Sequence, residues 1–137
     1  MSATNPRRRT LRSLGAVCAG LVVVVVLSLG TDLALHATGV FPPWGQGMSD
    51  EFFALATAYR TLYAVAGSYV TARLAPHRPM THALAGGVVG LILSTAGAVA
   101  TWNNGPEFGP HWYPVALAVT AMPCAWLGGR LHVAQRP

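Results

Sequence analysis

Four long apolar runs, each closed by a short stretch of glycine, proline and polar residues, pattern this chain: 14–35, 52–72, 81–102 and 112–129. Each is close to the roughly 20 residues a helix needs to cross the hydrocarbon core. The pattern therefore predicts an all-α membrane protein of four transmembrane helices, arranged as an antiparallel bundle of two hairpins. The β-branched run Val22 to Val26 is no exception, because hydrocarbon forces a chain to pair its backbone groups within the segment. Pro79 stands just ahead of the third run and Pro114 in the first turn of the fourth, where a missing N–H costs nothing. The organisation that follows is a basic tail over 1–13, one four-helix domain over 14–131 and a short tail over 132–137.

The arginines orient the bundle. All nine basic Lys/Arg positions are arginine, and Arg7, Arg8, Arg9, Arg12, Arg73, Arg78, Arg130 and Arg136 flank the apolar runs. Short arginine-bearing loops stay on the cytoplasmic side, so both termini are expected inside and the 37–50 and 103–111 loops outside. Asp50, Glu51 and Glu107 then fall on the outer side, beside an aromatic belt of Phe41, Trp44, Trp102, Trp112 and Tyr113. A signal peptide over the first run is disfavoured by its length and by the lack of a small-x-small cleavage site.

Composition supports this class: 9% of residues are charged, against about 25% in a typical soluble domain. A net charge of +5, made by residues at the membrane edges, calls for no nucleic-acid partner. The expected partners are the lipid bilayer and a second copy or a larger membrane complex. Cys18 and Cys124 lie in the cytoplasmic halves of their runs, where a disulfide has little reason to form, and are expected as small buried hydrophobes.

Arg60 is the exception among the arginines, because it lies inside an apolar run. A charge near the bilayer centre costs about 2.5–3.5 kcal/mol on insertion scales and calls for a partner. At ~1.5 Å per residue, Arg60 lies about 13 Å below Glu51 and Asp32 about 6 Å below His36. Side chains lean towards the amino-terminal end of their own helix, so on antiparallel helices the two lean towards each other. The alternative leaves Asp32 among the headgroups and Arg60 snorkelling alone. Ser28, Asp32 and His36 share one face of the first helix, and Arg60, Tyr63 and Gly67 one face of the second. This polar cluster is expected either to hold the hairpin in register or to form a ligand or proton site.

Gly86, Gly90 and Ser94 form a small-x-x-x-small ridge on the third helix, expected to pack against a neighbouring helix; Gly90→Leu should then destabilise. Pro123 frees the Val119 carbonyl and should kink the fourth helix. Histidines occur near both ends of the runs, an echo of the way b-type haems are held, but none lies within an apolar zone. No metal or other cofactor is expected, and no nucleophile–base set or phosphate loop points to an enzyme.

The segments AYRTLYAVAGSYVTARLAPHRPMTHA and WYPVALAVTAMPCAWLGGRL resemble small four-helix bacterial membrane proteins known only as uncharacterised families. The resemblance implies a multi-pass protein of the bacterial inner membrane and carries no activity. The leading functional expectation is a structural, assembly or accessory protein of that membrane. The alternatives are a small-solute or proton-coupled transporter working as a dimer and, behind it, a haem-binding redox protein.

Overall fold

The computed structural model describes residues 5–136. Among them are four α-helices, α1 (Pro6–Ala37), α2 (Asp50–Leu74), α3 (Pro79–Thr101) and α4 (Trp112–Ala134), with one 3-10 turn at Pro106–Phe108 and no strand. Two helices run more than two residues beyond their apolar runs. α1 starts within the expected basic tail, because arginine is a good helix former and the start is capped: Asn5 Oδ1 accepts the Arg7 N–H at 3.1 Å and Pro6 occupies the first turn. α4 continues to Ala134 and runs as helix through Pro123. α1 and α3 are long and apolar enough to cross a membrane. α2 falls short because it carries Arg60 and three tyrosines, and α4 because of its prolines, tryptophans and paired glycines.

The helices alternate in direction. Both ends of the described chain and the α2–α3 turn therefore gather at one end of the bundle, and the 38–49 and 102–111 loops at the other. α1 packs along α2, α2 along α4 and α4 along α3, while α1 meets α3 more sparsely. Close approach is made by small residues. A Cβ on Gly20 would collide with Thr71 Oγ1 and the Gly67 carbonyl, and one on Gly128 with the Val65 carbonyl. Small residues at these positions let the helix backbones approach closely.

The α3–α4 contact is made by a row beside the expected ridge. Ala83 and Gly87 face α4, where a Cβ on Gly87 would strike that of Ala125, whereas around Gly90 there is open space to 4 Å among the described residues. Gly86, Gly90 and Ser94 line a cavity instead. The two small-residue rows are offset by one position, about 100° round the helix; the other row packs on α4, while a Cβ on Gly86 would lie 3.9 Å from Thr71 Oγ1 of α2.

The distribution of side chains is inside out. The buried set is largely Ala16, Ala56, Ala72, Ala83, Ala98 and Ala125 with Ser28, Asp32, Thr71 and His82, while Leu62, Val99 and Val119 are 68%, 74% and 67% exposed. Cys124 is buried, but Cys18 faces outward. Larger apolar groups collect at the loop end, where Phe41, Ala56 and Tyr59 form a cluster with Leu35, Met48, Phe52, Tyr63 and Tyr113. Gly39 and Gly45, at φ 78° and 85°, turn the 38–49 loop back over this cluster. At the opposite end Arg9 Nε donates to His77 Nδ1 at 3.2 Å, and the His82 ring bonds Ser13 Oγ at 2.9 Å, tying α1 to the start of α3.

Candidate functional site, an ion pair between two cavities

Asp32 is 9% exposed and receives two donors from α2. Tyr59 O–H bonds Oδ1, and the Arg60 guanidinium bonds Oδ2 as a salt bridge. The guanidinium carbon also lies 6.0 Å from the Tyr59 ring centroid, at the edge of the cation–π range. Consecutive residues of a helix ordinarily point about 100° apart. Tyr59 and Arg60 nevertheless both reach Asp32, because their long side chains converge on one short carboxylate.

The other expected members take separate places. Tyr63 bonds Thr31 Oγ1 at 2.7 Å, and Thr31 Oγ1 donates to the Leu27 carbonyl at 2.8 Å. The threonine hydrogen is thereby used, so Tyr63 is the donor to Thr31. His36 Nδ1 lies 2.7 Å from the Pro42 carbonyl, which can only accept, so this nitrogen carries the proton. The His36 ring stacks on Trp44 at 3.6 Å and meets Phe41 edge-on at 5.3 Å. It anchors the 38–49 loop rather than the ion pair. Tyr59 is the member that sequence reasoning missed. Its signal is the spacing of Ala56, Tyr59 and Tyr63, which places all three on the α1-facing side of α2.

Ser28 is 3% exposed. Its Oγ and the Nε of Arg60 are buried side-chain atoms with no hydrogen-bond partner among the described residues. The residues Ser28 and Arg60 are among those lining a cavity of about 190 Å³ between all four helices, whose wall also includes Val24, Gly90, Leu117 and Thr120. A second cavity of about 230 Å³ lies towards the loop end, walled by Asp32, His36, Trp44, Tyr59 and Glu107. Arg60 borders both. Arg60 thus lies between the two spaces, and Asp32 faces the one towards the loop end.

At the opposite end, partial desolvation and then the positive charges of Arg9, His82 and Arg78 hold His77 below the usual histidine pKa. Among the described residues no three His, Cys, Asp or Glu side chains converge as metal ligands would. The chain matches no protein-family model, no curated protein and no solved structure.

Proposed function

We propose that the chain is a multi-pass protein of the bacterial inner membrane, crossing it four times with both termini cytoplasmic, and that it carries a small solute past the Asp32–Arg60 partition. The position of Arg60 on the walls of both cavities carries the reading. The inside-out side chains support the membrane setting, since large aliphatic groups facing outward suit lipid and not water. α2 fits as a spanning helix despite its polar residues, because an intramembrane charge faces the bundle interior and pairs there, as Arg60 does with Asp32.

The chemistry of gating follows from the pair. Asp32 and Arg60 neutralise each other, so separating them strands two charges in a medium that penalises both. Passage therefore needs a partner that meets both charges as they part. Four helices enclose little volume, so the working form is a dimer.

A structural or assembly role is the second reading. What favours it is that both Asp32 oxygens are already satisfied, as a permanent clamp between α1 and α2 would have them.

Single cysteines at Gln46 and Glu107 should react with a membrane-impermeant thiol reagent from outside intact cells, and cysteines at Arg78 and Gln135 only after permeabilisation. Position 135 labelled from outside would overturn the four-span topology. Proteoliposomes should also admit protons faster with Arg60→Gln than with the unaltered chain. Equal rates would favour the clamp.

A further inference from the structure

All four acids of the chain, Asp32, Asp50, Glu51 and Glu107, lie towards the loop end, and every arginine but Arg60 lies towards the other. At that other end Arg9, Thr10, Ser13, His77 and Arg78 line a groove of about 500 Å³ between α1 and the α2–α3 turn. Its cations are accessible, since Arg9 and Arg78 are exposed and His77 is only half-buried. No carboxylate pairs with either guanidinium among the described residues. α1 and α3 both begin here with no acid in the first turn, so the positive ends of two helix dipoles add to the arginines. After partial desolvation, the charges of Arg9, His82 and Arg78 lower the His77 pKa, and the same field attracts an anion.

The donors narrow the kind of anion. Arg9 Nε donates to His77 Nδ1, so the neutral His77 ring carries its hydrogen on Nε2. Thr10 Oγ1 donates to the Pro6 carbonyl and Ser13 Oγ meets the His82 ring, so both hydroxyls are engaged within the fold. There remain the terminal nitrogens of Arg9, the Arg78 guanidinium and the His77 Nε2–H. One guanidinium fork already matches the two oxygens of a carboxylate; two forks and a ring N–H on one groove suit the larger oxygen set of a phosphate.

Position decides where that phosphate comes from. Leu14, one turn on from Thr10 and about 6 Å deeper along α1, is 59% exposed, and its neighbour on the same side, Leu11, is 61% exposed. A basic groove bordered directly by outward-facing leucine sits where hydrocarbon gives way to headgroups, the level at which basic pockets take lipid phosphates. A choline or ethanolamine headgroup would set a further cation beside two arginines, so the headgroup is an anionic one.

We propose that the groove between α1 and the α2–α3 turn holds the phosphate of an anionic phospholipid on Arg9, His77 and Arg78, with an acyl chain along Leu14. The groove's place at the headgroup level rests on the membrane reading above; solute passage plays no part in it.

The full chain in phosphatidylcholine bicelles is titrated with phosphatidylglycerol and followed through the His77 Cε1–H resonance, assigned by its loss in His77→Gln. Phosphatidylglycerol should shift it saturably. Arg78→Gln should weaken binding roughly tenfold, the worth of a hydrogen bond to a charged group. Arg73→Gln removes the same charge at the same end but outside the groove, and should change binding by less than about twofold, as a screened surface charge does. Both variants alter exposed side chains and should melt as the natural chain does.

Equal weakening by the two variants would overturn the site, leaving only general surface charge, and so would a shift that never saturates or no shift at all. Inorganic phosphate giving the same saturable shift at equal concentration would overturn the lipid as the source. Site and topology fail separately. A cysteine at position 78 labelled only after permeabilisation, with no saturable shift, would sink the site and leave the topology. A saturable shift that needs Arg78, in a chain labelled at position 78 from outside, would keep the site and sink the cytoplasmic placement.

Discussion

Replacing Asp32 by asparagine and Arg60 by glutamine, singly and together, measures what the ion pair contributes. Breaking a fully buried pair by removing one partner costs about 3–5 kcal/mol. The side chains here are 28% exposed at Arg60 and 13% at Asp32, so water in the loop-end cavity relieves part of that penalty. Asp32→Asn strands the better-hydrated guanidinium and should cost about 2–3 kcal/mol, scaling the buried value down for exposure. Arg60→Gln strands a carboxylate that is more buried but keeps the Tyr59 hydrogen bond, and should cost about as much. The double variant leaves two neutral amides able to bond each other and should cost about 1 kcal/mol. The coupling is then about 3–5 kcal/mol, several times the ~0.6 kcal/mol average for transmembrane hydrogen bonds. Reversible unfolding by steric trapping in bicelles reads all four corners of the cycle. Single effects that simply add would refute the reasoning, since they would mean each charge is solvated by itself.

Gly87→Leu should lower stability by about 1–3 kcal/mol through overpacking against Ala125 and Met122. Gly90→Leu should be neutral or stabilising by up to about 1 kcal/mol, because leucine is the better helix former; melting in detergent compares them, and equal losses would contradict the assignment of the packed row. Tyr59→Phe should cost about 1.5–3 kcal/mol, the range for a hydrogen bond to a charged group, and a loss no greater than that of Tyr63→Phe would count against a Tyr59 bond to Asp32. The lowered pKa of His77 makes the folded chain favour the neutral ring that accepts from Arg9 Nε. The unfolded chain therefore takes up its proton first as pH falls through about 6.5, and stability present above that value is lost below it. Hydrogen exchange at the start of α1, corrected for intrinsic rates, should lose protection on acidification in the natural chain and not in His77→Gln; the same pH response in both would refute a role for this ring.

The four helices are legible from run length alone. The meeting of Asp32 and Arg60 is legible too, because antiparallel helices of fixed rise turn sequence positions into depths. Rotation about the helix axis is harder. Ala83–Gly87 and Gly86–Gly90 are equally small, and nothing local says which row meets α4; only the packing of α4's own Ala125 and Gly129 against Ala83 and Gly87 selects it. Tyr59 escapes for a related reason, since α2 is contacted by α1, α4 and α3 and its interior-facing arc is wider than a single stripe. His36 is legible as polar but not as a loop anchor, because its partners Pro42 and Trp44 depend on how the glycine turns bring the 38–49 segment back. The length of α1 depends on a cap at Asn5 that hydropathy does not register.

The partition itself is tested most directly by cysteine accessibility at position 28, behind the ion pair. With Cys18 and Cys124 replaced by alanine, Ser28→Cys should react slowly with an impermeant thiol reagent added outside, and at least tenfold faster once Asp32→Asn is added, because the loop-end cavity then opens onto the inner one. Equal rates with and without Asp32 would contradict an ion pair that separates the two cavities.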